Sequence, residues 1–174
     1  MNAKGLVIYE EQVLTLEVGV SLEAGTGEVF IDGPVDAGIE TNFNRAFAFA
    51  HNMADLEEFT IPDLSGIDIY LSFKLPIPEV PVVGDSYGLA LTLALCCAFE
   101  GNVVNPELVI TGCLDELGNI THVEGIDRKR TAAAKLGYRH IMLPSGQLDF
   151  FNKDIDQIPV RDVFEAWTSI SYGD

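Results

Sequence analysis

Basic residues are scarce in this 174-residue chain: ten Lys and Arg stand against 27 Asp and Glu, for a formal net charge of −17. Such a balance repels phosphate backbones and anionic lipid, so neither nucleic acid nor a membrane surface is an expected partner. Cysteine is scarce too. The three thiols, Cys96, Cys97 and Cys113, are odd in number, two are adjacent, and all lie in apolar runs, which is poor material for a disulfide framework. They read as reduced core thiols of a cytoplasmic protein. His51, His122 and His140 are scattered singly and no C-x-x-C pair occurs, so no metal site is expected. No apolar run reaches the roughly 18 residues of a membrane span, and the N-terminus MNAKGLVIYEEQ has no basic region followed by a long apolar one. The phosphate-loop pattern G-x-x-x-x-G-K-[ST] is also missing, so ATP hydrolysis has no seat.

What is present is apolar mass. With 48% hydrophobic residues the chain can bury one substantial core, and a single domain over residues 1–174 is expected. The first third alternates as strands do, in GLVIYEE, QVLTLEVGVSLE and GEVFIDGP, and predicts an antiparallel meander. Ile39, Phe43, Ala46, Phe47 and Ala50 fall at helical spacing, predicting a helix from Asp36 to about Leu56 with His51 near its end. GIDIYLSFKL is strand-like and runs into LPIPEVPVVGDS, whose prolines demand an extended loop. SYGLALTLALCCAFEG is too long for a strand and reads as a buried helix with Ser86 at its first turn. ELVITGCL and ITHV are strand-like, Ile126 to Leu136 helical up to Gly137, and HIMLP a further strand; an acidic segment, Asp149 to Asp156, leads to a last helix holding Val163, Phe164 and Trp167.

A serine at a helix start, after a Gly-containing loop, can project its hydroxyl beside backbone N–H groups that have no helical partner. Most serines so placed only cap the helix. What sets Ser86 apart is GDSYG followed by ITGCLDELGNITHVEGIDRKRTAAAKLGYRHIMLP, which resembles the proteolytic domain of the Lon family. Gly84, Ser86 and Gly88 match the family's nucleophile motif, Thr111 and Gly112 its T-G strand, and Gly118, Gly125, Ile126 and Lys129 its turn and lysine motif. The 43 residues between Ser86 and Lys129 match the family's separation, and the likeness extends over nearly the whole chain.

The resemblance implies an α+β fold of mixed sheets packed with helices, related to ribosomal protein S5 domain 2. It implies a serine endopeptidase with Ser86 as nucleophile, Lys129 as base and Thr111 orienting the lysine amine, with Gly84 and Asp85 in support; the backbone N–H of Ser86, joined by that of Asp85, is the candidate oxyanion site. A lysine deprotonates serine only when neutral, and burial among apolar neighbours lowers its pKa to that end. Arg128, Arg130 and Lys135 are the ordinary surface bases of the same helix. No cofactor is implied. The implied partners are a polypeptide substrate, further copies in a hexameric ring, and a motor of the AAA+ class on another subunit if folded substrates are to be unfolded; the Met start reads as that of a self-sufficient chain.

Four positions depart from the family pattern. Asp85 stands where the family has proline, Val83 replaces an acid, Tyr87 a small alanine, and Cys113 a glutamate. Asp85 is expected to raise the pKa of Lys129, and Tyr87 to narrow the cleft. These departures keep a second reading open, a catalytically silent Lon-like module for assembly or partner binding. A third, a nucleic-acid-binding domain of the S5-like fold, would need a basic face.

Overall fold

The structure, a computed structural model, describes residues 1–57 and 59–171. In chain order its elements are β1 (Asn2–Tyr9), β2 (Gln12–Ala24), β3 (Val29–Asp32), α1 (Ile39–Glu57), β4 (Ile67–Lys74), α2 (Gly88–Glu100), β5 (Leu108–Ile110), β6 (Cys113–Leu114), β7 (Ile120–Thr121), α3 (Ile126–Lys135), β8 (His140–Pro144), β9 (Asp156–Val160) and α4 (Val163–Ser171). Seven strands form one mixed sheet in the order β3-β4-β2-β1-β5-β8-β9, and β6 and β7 make a small separate ribbon. β1–β2 and β2–β4 pair antiparallel; β3–β4, β1–β5, β5–β8 and β8–β9 pair parallel.

Successive side chains of a strand point to opposite faces, and this period divides the core in two. Ala3 and Val7 of β1, Leu108 and Ile110 of β5 and Met142 of β8 pack on the face covered by α1, α2 and α4. Leu6, Val109, Ile141 and Leu143 alternate with them and pack on the other face, under α3. β5 is therefore apolar throughout and β8 from Ile141 onward, as strands covered on both sides are. α2 is buried from Gly88 to Cys97 and is apolar all round, the signature of a central helix. Cys96 and Cys97 lie within it as free, buried thiols, as the sequence predicts.

Three expectations change. The strands of the first third do not form a meander, because β4 lies between β2 and β3 and β3 runs parallel to it. β2 is already paired on both edges, by β1 and β4, and Asp68 Oδ1 accepts the N–H groups of Thr26, Gly27 and Glu28 at 2.7, 3.0 and 3.0 Å, holding the chain after β2 across the start of β4. β9 is absent from the elements that pattern predicts, since Pro159 interrupts a short acidic stretch. It lies at the sheet edge, where a proline removes no ladder bond that a neighbour needs. Finally, α2 begins at Gly88 with Tyr87 as its N-cap, so Ser86 sits in the turn just ahead of the helix rather than in its first turn.

Candidate active site

The turn that carries Ser86 is held from two sides. Upstream, Val82 N–H donates to the Pro34 carbonyl at 2.6 Å and ties the proline-rich loop to the segment after β3. Gly84 then takes φ of 82°, a left-handed conformation that side chains resist, and reverses the chain. Downstream, Gly112 N–H donates to the Ser86 carbonyl at 3.0 Å, and Leu89 N–H donates to the Gly112 carbonyl at 3.2 Å. The T-G segment leaving β5 is thus stitched to the serine turn. A Cβ on Gly112 would stand 2.9 Å from Ile120 Cγ2, so the glycine is what permits this approach.

Lys129 reaches the same place from the opposite face of the sheet. On α3 the residues Ile126, Lys129, Arg130 and Ala133 follow the i, i+3, i+4, i+7 stripe that faces inward, which carries the lysine under β1 and β5. Its side chain is 2% exposed. The Nζ atom lies 3.0 Å from Ser86 Oγ and 3.2 Å from Thr111 Oγ1, and Ser86 Oγ also points to the Leu6 carbonyl at 3.4 Å. Thr111, fully buried just beyond β5, completes the contact. The structure thus brings together Ser86, Thr111 and Lys129, with Gly84 and Asp85 in the adjoining turn.

These groups open on a cleft of about 370 Å³ at the carboxyl ends of β1 and β5. Its walls are Val7 and Ile8 of β1, the turn from Val83 to Ser86, Cys113 of β6, His122, Glu124 and Lys129. Burial pushes the Lys129 amine down from its usual 10.5 to about 8, against the opposing pull of Cys113 and Glu124. Burial pushes the Cys113 thiol up, and the Asp85 carboxylate adds to that rise.

Several readings are corrected here. Asp85 is not the carboxylate that holds the Lys129 pKa up; Glu124 is. The Asp85 carboxylate is engaged by Asn42 of α1, whose Nδ2 donates to Oδ1 at 3.1 Å. Tyr87 does not narrow the cleft: it is buried, its ring edge-on to Phe73 and its hydroxyl accepting from Asn42 Nδ2 at 3.0 Å. Arg130 is no surface base. Buried beside Lys129, it donates to Asp127, to Gln157 and to the Gln147 carbonyl at 2.7–2.9 Å, clamping α3 to the segment around β9. Arg128 and Lys135 are exposed as expected. Cys113 is only half-buried and lines the cleft, unlike the two thiols of α2.

His122, Glu124 and Asn42 carry no pattern in the sequence that marks them as neighbours of Ser86. The burial of Lys129, by contrast, can be read from its place in the helical stripe with Ile126 and Ala133.

Fold and cleft together define a mixed α/β domain that sets a serine hydroxyl against a desolvated amine. The sequence profile of the Lon protease (S16) C-terminal proteolytic domain matches residues 2–168, and the chain belongs to that family. It is 30% identical over 161 residues to the Lon protease of Mycoplasma mycoides subsp. mycoides SC, covering 91% of this chain and 20% of that protein. It is 29% identical over 147 residues to Lon protease 1 of Bacillus subtilis, covering 83% and 18%. A DNA repair protein RadA of a Synechocystis species is 35% identical over 148 residues, covering 84% of this chain and 28% of that protein. The chain thus spans about a fifth of the Lon proteases it matches and little more than a quarter of the RadA. No described helix is long and apolar enough to cross a membrane.

Proposed function

We propose that this chain is a serine endopeptidase that cleaves flexible or unfolded polypeptides with a Ser86–Lys129 dyad and without an ATPase of its own. The observation that carries this reading is the 3.0 Å approach of Lys129 Nζ to Ser86 Oγ, by an amine that burial pushes down to about 8. Near neutrality the amine is mostly protonated and donates to both hydroxyls. When it loses its proton, the Ser86 O–H turns from the Leu6 carbonyl to Nζ and the oxygen becomes a nucleophile. Attack on a peptide carbonyl forms the C–O bond while Lys129 takes the hydroxyl proton. The oxyanion is received by the N–H groups of Ser86 and Asp85, which donate to no acceptor among the described residues. Collapse expels the amine, which takes the proton from Lys129. Water, deprotonated by the same lysine, then releases the acyl group. Thr111 holds the amine toward the serine in both steps. A ring of six copies, an AAA+ partner and a cytoplasmic location belong to the same reading by family likeness.

A peptide boronate or fluorophosphonate, followed by intact mass and by casein hydrolysis from pH 7 to 10, tests this. The expected result is one adduct on the wild type, none on Ser86→Ala, and cleavage that rises through pH 8. An absence of Ser86-dependent adduct and cleavage across that range would sink the proposal. A silent module for assembly or partner binding is the second reading, favoured by one observation: a relative at 35% identity is named as a DNA repair protein rather than a protease.

A further inference from the structure

Two carboxylates line the cleft that holds Ser86: Asp85, on the turn before α2, and Glu124, on the segment leading into α3. Both residues are exposed, and they come from parts of the chain that meet only through the fold. Asp85 is not free to swing away, since Oδ1 is held by Asn42, a residue only 6% exposed, while Oδ2 receives no donor among the described residues. Glu124 accepts no hydrogen bond and joins no ion pair among the described residues. Among the described residues, no Lys or Arg other than Lys129 lines the cleft. Lys129 cannot remain their counter-charge, because the dyad requires it neutral. Two carboxylates then stand on the cleft wall with no Lys or Arg beside them to balance their charge. They also oppose the oxyanion that forms there.

Resting on the peptidase reading above, we infer that Asp85 and Glu124 are specificity-determining residues that select peptides with a cationic side chain, Lys or Arg, next to the scissile bond. Such a side chain would satisfy the free Asp85 oxygen and the unpaired Glu124, and would cancel their repulsion of the transition state. The selectivity therefore appears in kcat as well as KM. The other polar groups on the wall cannot supply it. Burial keeps Cys113 a neutral thiol, and an imidazole at His122 carries no negative charge.

The test uses two quenched-fluorescence peptide series, identical except that the residues flanking the scissile bond are Arg in one and citrulline, its uncharged isostere, in the other. Wild type should prefer Arg by about five- to tenfold in kcat/KM, the scale of two solvent-exposed ion pairs. The preference should fall toward unity in the Asp85→Asn/Glu124→Gln double variant, and should shrink in the wild type at high salt. Equal cleavage of the two series by wild type would overturn the inference, as would a preference that survives in the double variant. If neither series is cleaved, the peptidase reading fails on its own, and charge selection is still decided by calorimetry on Ser86→Ala. Tighter binding of the Arg peptide there, lost when Asp85→Asn and Glu124→Gln are added, supports the inference, and equal binding of the two peptides overturns it.

Discussion

Helices α2 and α3 approach the cleft from opposite faces of one sheet and are built on opposite plans. α2 is apolar all round, buried from Gly88 to Cys97, and carries no charge before Glu100. α3 is polar or charged at Asp127, Arg128, Lys129, Arg130, Thr131 and Lys135, and buries only Lys129, Arg130 and Ala133. The first helix anchors the serine turn through hydrophobic burial, which is strong and indifferent to pH. The second holds a cation where a cation is disfavoured. On the peptidase reading, stability is lodged in α2 and reactivity in α3, and the sheet joins them at the cleft.

The sharpest division between the two helices lies in activity. On the peptidase reading, Lys129→Ala in α3 and Ser86→Ala ahead of α2 should each lower peptide turnover by at least about a thousandfold, because members of a dyad act as a unit. Leu93→Ala, deep in α2, should retain the turnover of whatever fraction stays folded. Urea unfolding should reverse the ranking. Leu93→Ala leaves a cavity in the core and should cost about 2–5 kcal/mol. Thr131→Ala, on the exposed side of α3, should stay within about 0.5 kcal/mol. Comparable losses from the two would break the comparison.

A smaller effect concerns the buried cation. The folded pKa of Lys129, about 8, lies below its ordinary value of 10.5, so between these values the unfolded chain holds a proton that the folded chain has released. The contribution of Lys129 to stability therefore rises with pH across that window. Lys129→Met removes the penalty and should stabilise the protein by on the order of 2 kcal/mol at pH 7. The gain is full below pH 8 and disappears as pH passes about 10.5, which urea titrations at the two ends of the window would measure. The smallest expected effect is on the rate profile. On the peptidase reading, Glu124→Gln removes an anion that holds the Lys129 pKa up and should move the acid limb of activity to lower pH. Asp85→Asn should move it less, and a larger shift from Asp85 would show that its carboxylate reaches the amine after all.

Much of the fold is legible along the chain, because local periodicity suffices for it. The runs Val29–Asp32, Ile67–Lys74 and His140–Pro144, and the apolar block of α2, all announce their elements. Strand order is not legible in that way. β3 joins β4 because both edges of β2 are already paired, and its ladder to β4, with the three N–H groups that Asp68 accepts, links residues some forty apart in sequence. β9 escapes for a related reason, since its proline is tolerated only because nothing pairs beyond it. At the site, glycine positions, the T-G pair and the spacing of Ser86 from Lys129 point to the dyad through family likeness, and the helical stripe of α3 points to a buried lysine. The effect of Asp85 on that lysine is not legible from its place in the chain, because its carboxylate is held by Asn42 from another helix.

The sequence by itself determined which side chains are available to the cleft and which faces of its helices turn inward, since both follow from residue type and period. Tertiary structure alone decided what the amine of Lys129 feels. Its pKa depends on how completely β1, β5 and α3 exclude water from it, and on Glu124 and Cys113 lying within electrostatic range. Desolvation and Coulomb interactions depend on distance in space, and the chain order of these residues does not contain it.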